Sequence, residues 1–278
     1  MTQVHDLHAH STASDGTLAP AELMRRAHAA GVQVMALTDH DTLEGVAEAA
    51  QQAAELGLAF VPGVEVSVTW GGATVHIVGL GVDPASETLL TGLASLREHR
   101  DWRAAEIGRK LDQAGYPGTF ERARELSNGR LISRTHFARA LVELGHAESV
   151  RGVFKHFLVR NKPGHVEGKW ASLEDAVGWI TAAGGQAVIA HPARYNMTRT
   201  KLRKLIAAFI DAGGSCLEVV SGSHSRDDAF TMAAHAKDFG LLASAGSDYH
   251  GPENPWIELG RLPELPQSCK PIWHDWAA

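Results

Sequence analysis

The sequence predicts an α/β fold in which a parallel barrel of about seven strands, or a close relative of one, carries a helical insertion. Three observations support this prediction. Short apolar runs rich in β-branched residues recur along the chain, most of them follow a helix-like run that ends in glycine, and one long central stretch lacks any comparable strand run. An open doubly wound sheet is the main alternative fold.

The alternation of strand-like and helix-like runs predicts the order of strands and helices along the chain. Glycine directly after the last helical turn is the expected end of a helix, and helix-like runs end this way before five of the strand-like runs. Helices that join successive strands produce parallel strands. The strand-like runs are residues 4–10, 32–41, 58–65, 73–81, 186–192, 215–222 and 241–250, and the helix-like runs are 21–31, 45–57, 175–185, 205–214 and 232–240.

The composition excludes several protein classes. A chain of 278 residues with 44% hydrophobic and 21% charged residues is typical of one soluble domain, and no apolar run approaches the roughly 18 residues of a membrane span. The N-terminus lacks the features of a secretory signal, and two distant cysteines, Cys216 and Cys269, form neither a disulfide framework nor a thiolate metal site. We expect a cytoplasmic protein with no membrane partner and no obligate protein partner.

The helical insertion is expected at residues 97–170, between the fourth and fifth strands, so that residues 1–96 and 171–278 form the barrel domain. The insertion holds 15 Lys and Arg against 9 Asp and Glu, whereas the rest of the chain holds 11 against 23. Solvated charged helix faces would explain this imbalance. A lid that draws an anionic substrate towards an acidic, metal-holding body would explain it equally well.

The segment DLHAHSTASDG, residues 6–16, contains the first candidate metal ligands. With 16 histidines in the chain, roughly one His-x-His pair is expected by chance, so the pair by itself indicates nothing. Functional residues of α/β barrels lie at the carboxyl ends of the strands, however, and candidate ligands stand at or near the ends of six strand-like runs. These candidates are His8, His10, Asp15, His40, Glu65, His76, His191, Asp248 and His250.

Two of these candidates are expected on one β-hairpin. In VEVSVTWGGATVHIVGL, residues 64–80, a two-residue turn at the glycine pair places Trp70 opposite Ala73, Ser67 opposite His76 and Glu65 opposite Val78. Glu65 and His76 are then diagonal neighbours on one face, about 7 to 8 Å apart, where both can reach one ion.

The ligand types indicate the metals. Imidazoles and carboxylates without thiolates suit Mn²⁺, Zn²⁺ or Fe²⁺, and nine candidates are too many for one tetrahedral site, which indicates a cluster of two or three ions. Asp39 is expected to support the ligands, whereas Asp41 is expected to cap the helix that follows it.

The segments DLHAHSTASDG, LTDHD, GVEVS, AHP and GSDYH, in this order from residue 6 to residue 250, together resemble the polymerase and histidinol phosphatase (PHP) family of metal-dependent phosphoesterases. The resemblance implies a distorted (β/α)7 TIM-like barrel with three divalent ions, Mn²⁺ being expected and Zn²⁺ or Fe²⁺ the alternatives. No catalytic side chain is implied, because the nucleophile would be a hydroxide that bridges two metals. The implied ligands are His8, His10, Glu65 and Asp248 for one ion, Glu65, His76 and His191 for a second, and Asp15, His40 and His250 for a third.

A phosphate substrate needs cationic or hydrogen-bonding groups, and the planar fork of arginine suits it. LISRTHFARAL supplies Arg134 and His136 inside the insertion, HPARY places Arg194 just after a candidate ligand, and SGSHSRD places His224 at the end of the sixth strand. Arg134 is the first choice for phosphate binding, whereas Arg139 is expected to form a surface ion pair.

Within the family, a short chain with a helical insertion is most similar to stand-alone 3′,5′-nucleotide bisphosphate phosphatases, some of which trim RNA from the 5′ end. We expect a hydrolase that removes a phosphate from 3′,5′-bisphosphonucleotides such as adenosine 3′,5′-bisphosphate, with activity on short 5′-phosphorylated RNA as an extension. The basic insertion favours this substrate, because a second phosphate needs a second cationic site. The alternatives are a histidinol-phosphate or other small-molecule monophosphatase, and a non-catalytic PHP module associated with a polymerase.

Overall fold

The computed structural model describes residues 3–128 and 130–276, which form a seven-stranded sheet surrounded by helices. The strands are β1 (His5–Asp6), β2 (Val34–Leu37), β3 (Ala59–Trp70), β4 (Ala73–Leu80), β5 (Gln186–Ile189), β6 (Cys216–Ser221) and β7 (Leu242–Gly246). The helices are α1 (Pro20–Ala29), α2 (Val46–Leu56), α3 (Glu87–Gln113), α4 (Thr119–Leu126), α5 (Arg134–Glu143), α6 (Val150–Val153), α7 (Leu173–Ala182), α8 (Arg199–Asp211) and α9 (Arg226–Phe239). Within these described ranges, a helix with the length and apolarity that a membrane crossing requires is not found.

The order and direction of the strands confirm the predicted barrel. Neighbouring strands follow the chain order from β1 to β7. β4 runs antiparallel to both β3 and β5, whereas the other neighbouring pairs are parallel. The single reversed strand therefore distorts an otherwise parallel α/β barrel.

Contacts just beyond β1 and β7 bring the two ends of the sheet together. Asp248 N donates to His8 O at 2.8 Å, and the buried Asp6 carboxylate accepts a hydrogen bond from Ser247 N at 2.7 Å. A Cβ atom on Gly246 would lie only 2.2 Å from His8 Cβ, so glycine is needed where β7 passes His8. Closure thus places candidate ligands from the two ends of the chain side by side.

Strand β2 shows why the strand-like runs are apolar throughout. Its four residues are all buried and alternate between two clusters. Val34 and Ala36 pack inside the barrel with residues of the other strands, whereas Met35 and Leu37 pack outward against α1 and α2. Because successive side chains point to opposite faces, a strand covered on both sides needs apolar residues at every position.

The β3–β4 hairpin has the predicted register. Trp70 is opposite Ala73, Ser67 is opposite His76, and Glu65 is opposite Val78. The turn residues Gly71 and Gly72 have φ angles of 54° and 75°, which a tight two-residue hairpin turn of this kind requires and which glycine adopts without strain.

The segment between β4 and β5 is helical and has its own apolar core. Helix α3 crosses the predicted boundary at residue 97 without a break. Its first half, including Leu89 and Leu93, packs in the core outside the barrel, and its second half, including Ile107 and Leu111, packs in a separate core with α4 and α5. One continuous helix therefore connects the barrel to the helical segment.

The contact between α3 and α7 generates a prediction for stability. A Cβ atom on Gly92 would lie 2.4 Å from the indole ring of Trp179, so Gly92→Ala is expected to reduce the free energy of unfolding by about 1–3 kcal/mol. Gly178→Ala on α7 is the matched control, because a Cβ atom there meets nothing within 4 Å and alanine favours a helix. Thermal unfolding followed by circular dichroism measures both, and equal melting temperatures for the two variants would contradict close packing at Gly92.

Candidate metal centre

The nine candidate ligands lie together at one end of the barrel. Residues at or just after the carboxyl ends of parallel strands supply most of them, and Glu65 lies within β3. His76 is different, because it lies in the first half of β4 and reaches the same end only because β4 runs antiparallel. The full set is His8, His10, Asp15, His40, Glu65, His76, His191, Asp248 and His250.

The fully buried carboxylate of Glu65 lies at the centre of the cluster. Its Oε1 is 3.0 Å from His76 Nδ1 and 3.0 Å from His191 Nε2, and its Oε2 is 2.9 Å from His40 Nδ1. His8 and His10 approach the same carboxylate at 3.4 Å. One carboxylate thus contacts imidazoles from five positions, as a ligand shared between ions would.

Two further carboxylates complete the cluster. Asp15 Oδ1 lies 3.4 Å from His250 Nε2 and 3.8 Å from His40 Nε2. Asp248 Oδ1 lies 3.3 Å from His10 Nε2. The ligand atoms form four groups whose members lie within 4.8 Å of one another: His10, Asp15, His40 and His250; His8, Glu65 and His191; His8, His10 and Asp248; and His40, Glu65 and His76.

Outer hydrogen bonds orient two of the imidazoles. His8 Nδ1 lies 2.9 Å from Glu218 Oε1, and His250 Nδ1 lies 2.9 Å from the backbone oxygen of Asp248. Since both oxygens only accept hydrogen bonds, Nδ1 is the donor in each ring, and Nε2, after losing its proton, is the nitrogen that a metal would bind. Sequence reasoning missed Glu218, although a glutamate inside the apolar run SCLEVVSG was a signal for it.

Burial and neighbouring charges shift the pKa values in opposite directions. Burial lowers the pKa of His10 to about 3. Burial acts in the same direction on His250, but Asp15 and Asp248 together outweigh it and raise the pKa to about 9. Burial acts to raise the pKa of Glu65, yet the surrounding imidazoles, His76 foremost, hold it well below its usual range. Because His250 carries a proton at neutral pH, a cation that binds here has to displace it.

Two candidate ligands have strained backbones. His191 has a φ angle of 29° and Asp248 has a φ angle of 56°, both in the left-handed region that few residues other than glycine adopt. Such conformations cost of order 1–3 kcal/mol and persist where the surroundings enforce them. Here the enforced backbone turns the two side chains towards the cluster directly after β5 and β7.

Asp39 and Asp41 hold neighbouring parts of the site. Asp39 accepts hydrogen bonds from Ser11 and Ser14, which fixes the loop that carries Asp15, as a supporting role requires. The prediction that Asp41 caps the following helix is wrong, because α2 begins at Val46 and its N-cap is Gly45.

Asp41 instead anchors the helical segment. Its carboxylate accepts from Ser67 N at 2.7 Å and from Arg100 Nε at 2.6 Å, and Arg100 Nη2 donates to Ser67 Oγ at 2.8 Å. Tertiary pairing with a buried arginine of α3 therefore overrode the local capping preference.

The arrangement fits divalent metal ions. Two ligand atoms held at about 2.0–2.2 Å from one ion in a tetrahedron lie about 3.4 Å apart. His8 Nε2 and His10 Nε2 lie 3.2 Å apart, and Asp248 Oδ1 lies at a similar distance from His10. Within the described ranges, seven buried side-chain polar atoms lack a hydrogen-bond partner, and five belong to this cluster: His10 Nδ1, Asp15 Oδ1, His40 Nδ1, Glu65 Oε2 and His191 Nδ1.

The cluster forms one wall of a cavity of about 150 Å³ whose other walls are cationic. Arg100, Arg103, Arg134 and Arg194 all line it. Burial, together with Arg134 and Arg100, lowers the pKa of Arg103 to about 9. Guanidinium groups gathered next to buried imidazoles and carboxylates make a site that suits an anion bound beside metal ions.

The two predicted substrate-binding arginines both line the cavity but differ in their charged partners. Arg134 lines the cavity over the Phe154 ring and, among the described residues, has no carboxylate within ion-pair distance. Arg194 lines the cavity and is paired with Asp248.

The two predicted histidines are bonded to backbone groups. His136 Nδ1 accepts from Ser133 N at 3.0 Å, which completes the N-terminal cap of α5, and the described residues that line the cavity do not include it. His224 Nδ1 lies 3.1 Å from Val219 O, and its Nε2 accepts from Ala193 N, next to Arg194. Substrate contact by either histidine stays a prediction.

Three further cavity residues were missed in the sequence. Arg100 and Arg103 lie one helical turn apart on α3, and Thr135 Oγ1 donates to Asp15 Oδ2 at 3.0 Å. The spacing of arginines in LREHRDWR, residues 96–103, was the available signal for the first two.

Known proteins of similar sequence and structure point to one family. The PHP domain matches residues 6–219. A 3′,5′-nucleoside bisphosphate phosphatase of Chromobacterium violaceum is 53% identical over 271 residues, which cover 97% of this chain and 95% of the relative. A 5′-3′ exoribonuclease of Haemophilus influenzae is 44% identical, with 98% of this chain and 99% of the relative covered. A solved structure described as an amidohydrolase from Chromobacterium violaceum, with bound sulfate and no metal, has a TM-score of 0.94 and 53% identity over 97% of this chain and 94% of that chain.

The cluster generates a prediction for metal content. Asp15→Ala and His250→Ala are expected to bind fewer metal ions per chain, with affinity at the affected position lowered by at least about tenfold, because each removes one ligand without disturbing the apolar cores. Metal analysis by mass spectrometry after dialysis measures the content, and circular dichroism checks the fold. His28→Ala, exposed on α1, is the control. Full metal content in both ligand variants would remove Asp15 and His250 from the metal site.

Proposed function

Because this chain belongs to the PHP family, we propose that it is a metal-dependent phosphoesterase that hydrolyses a phosphomonoester of nucleoside 3′,5′-bisphosphates. The observation that carries the proposal is the shared cavity, in which a buried imidazole and carboxylate cluster faces several arginines. The 53% identity to a nucleoside bisphosphate phosphatase over nearly the whole chain supports the same substrate class. The cytoplasmic location expected from the sequence stays part of the proposal.

We assign three divalent ions, with Mn²⁺ expected, to the cluster. His8, His10, Glu65 and Asp248 would hold one ion; Glu65, His76 and His191 a second; and Asp15, His40 and His250 a third. When bound, such ions make a water molecule acidic enough to attack near neutral pH and neutralise charge that develops on the phosphoryl oxygens. The groups of neighbouring ligand atoms support the third set and most of the first, and His10, which approaches Asp15 as well as Asp248, lies between these two sets. The second set is supported by Glu65 Oε1, which lies 3.0 Å from both His76 Nδ1 and His191 Nε2.

The side chains of this protein supply orientation and charge. Glu218 contacts His8 Nδ1 and also accepts a hydrogen bond from His191 N, so a single carboxylate positions two candidate ligands. Arg194 neutralises the outer oxygen of Asp248. Arg134 presents a half-buried guanidinium without a carboxylate partner in the described chain, which leaves its two-point fork available for phosphate.

A bisphosphate fits this cavity better than a monophosphate does. The metal cluster would bind one phosphate, and the arginines of α3 and α5 that line the same cavity would provide a second cationic site. A histidinol-phosphate substrate needs a carboxylate for its amine, but the described acidic residues that line the cavity are Asp15 and Asp248, both engaged in the cluster. The complete set of ligands argues against a non-catalytic module.

Trimming of 5′-phosphorylated RNA is the second candidate activity. The 44% identity to a 5′-3′ exoribonuclease over nearly the full length of both chains supports it. An RNA 5′ end resembles a 3′,5′-bisphosphate, because its first nucleoside carries phosphate on both sides, so the same cavity would accommodate both substrates.

Hydrolysis rates across a panel of substrates test the proposed function. With Mn²⁺ present, we expect adenosine 3′,5′-bisphosphate to be hydrolysed with a kcat/KM at least about tenfold above that for AMP or histidinol phosphate, because one extra charged contact gives about this factor. Phosphate release measures the rates. A higher kcat/KM for histidinol phosphate would overturn the proposal.

Arg134→Ala is expected to separate binding from chemistry. Hydrogen bonds to charged groups contribute about 1.5–3 kcal/mol, so the variant is expected to lose about 10- to 100-fold in kcat/KM on the bisphosphate and much less on an aryl phosphate, which lacks the second phosphate. Arg139→Ala on the same helix is the control. Equal losses on both substrates would exclude Arg134 from substrate selection.

A further inference from the structure

We propose that an aromatic platform, formed by Trp170 at the cavity wall and by His99 and Trp102 outside the cavity, binds the bases of single-stranded RNA downstream of its 5′ nucleotide. This inference rests on the proposed function, because it concerns the part of an RNA substrate that the cavity does not hold.

The three rings form a continuous path that starts at the cavity. Trp170 lines the cavity, and its ring centre lies 4.9 Å from that of His99 in an edge-to-face contact. The His99 and Trp102 rings are stacked with centres 5.3 Å apart. His99 Nε2 accepts from Lys169 N at 3.1 Å, which fixes the middle ring. The exposed Trp102 ring at the end of this path offers a face on which a base can stack.

Helix α3 carries residues that line the cavity and residues that line a separate surface depression. Arg100 and Arg103 lie on the side that faces the cavity, and their guanidinium groups lie over the Trp170 ring at 4.9 and 5.4 Å from its centre. His99 and Trp102 line a separate surface depression instead. A nucleotide held in the cavity reaches Trp170, whereas His99 and Trp102 are available only to a longer chain.

The exposure of Trp102 needs an explanation. Its side chain is 56% exposed, although the next two residues of the helix, Arg103 and Ala104, are buried. What distinguishes Trp102 from other exposed aromatic residues is that its ring continues a row of rings that begins at the cavity.

Charge near the platform suits a phosphate backbone. Lys110 and Lys169 line the same depression, and the whole segment from residue 97 to residue 170 is basic. Two glutamates also line it, but Glu106 is paired with Arg109, which leaves Glu167 as the opposing charge. Aromatic faces flanked by lysines are the usual composition of a surface that binds single strands without reading their sequence.

The test compares substrates of increasing length. Trp102→Ala is expected to change kcat/KM for adenosine 3′,5′-bisphosphate by less than about twofold and to lower it about tenfold for a 5′-phosphorylated octa-adenylate, a change equivalent to about 1.4 kcal/mol. A 5′-phosphorylated dinucleotide, which is too short to reach Trp102, should resemble the bisphosphate. Trp102→Phe keeps a stacking face and is expected to restore most of the loss. Trp256→Ala is the matched control, because the Trp256 side chain is 91% exposed and lies far from Trp102 in the sequence.

Each result has a distinct meaning. Equal losses on the bisphosphate and the octamer, or no loss on the octamer, would overturn the platform. Wild-type protein that hydrolyses the bisphosphate but no oligomer would also overturn it and leave the proposed phosphatase function intact. Wild-type protein that hydrolyses neither would refute the proposed function itself. A melting temperature equal to wild type shows that Trp102→Ala is folded, and the phenylalanine variant keeps the test valid if it is not.

Discussion

The need to hold three buried carboxylates together with six imidazoles governs this structure. Buried charges are costly unless other charges and hydrogen bonds compensate them, and here every carboxylate of the cluster contacts imidazoles. Glu65 is central because imidazoles from five positions along the chain converge on it. Closure of the barrel, the reversed β4 strand and the left-handed backbones at His191 and Asp248 all serve to bring those side chains to one point.

The helical segment between β4 and β5 complements this cluster by charge. The barrel supplies acidic and imidazole groups, the helices supply arginines, and α3 connects the two through the buried contact between Arg100 and Asp41. Thr135 at the start of α5 reaches Asp15, so the helical segment contacts the barrel at Asp41 and the cluster itself at Asp15. A substrate with two anionic groups matches a cavity that has a metal-binding wall and a cationic wall. In our proposal, the downstream bases of an RNA chain contact the aromatic rings that lie beyond the cavity.

Much of the architecture could be predicted from local sequence patterns, because such patterns depend directly on which residues are buried and on the geometry of turns. The apolar runs identified strands covered on both faces, and the glycine pair after Trp70 determined the register that puts Glu65 and His76 within 3.0 Å. The supporting residues were harder to find. Glu218 and Arg100 act through partners more than fifty positions away, and no local pattern reports such a partner. Asp41 is the opposite case. Its position in the sequence predicted a helix cap, but its side chain forms an ion pair with a residue remote in the sequence.

The sequence by itself determined the order of strands and helices, the hairpin register and the identity of the candidate ligands, because each of these depends on spacing along the chain or on residue type. The tertiary structure determines which ligands lie close enough to bind the same ion, which imidazole nitrogen faces the centre of the cluster, and which arginines line the cavity. These properties depend on distances of about 3 Å between side chains from remote segments. Only closure of the barrel and docking of α3 against it determine those distances.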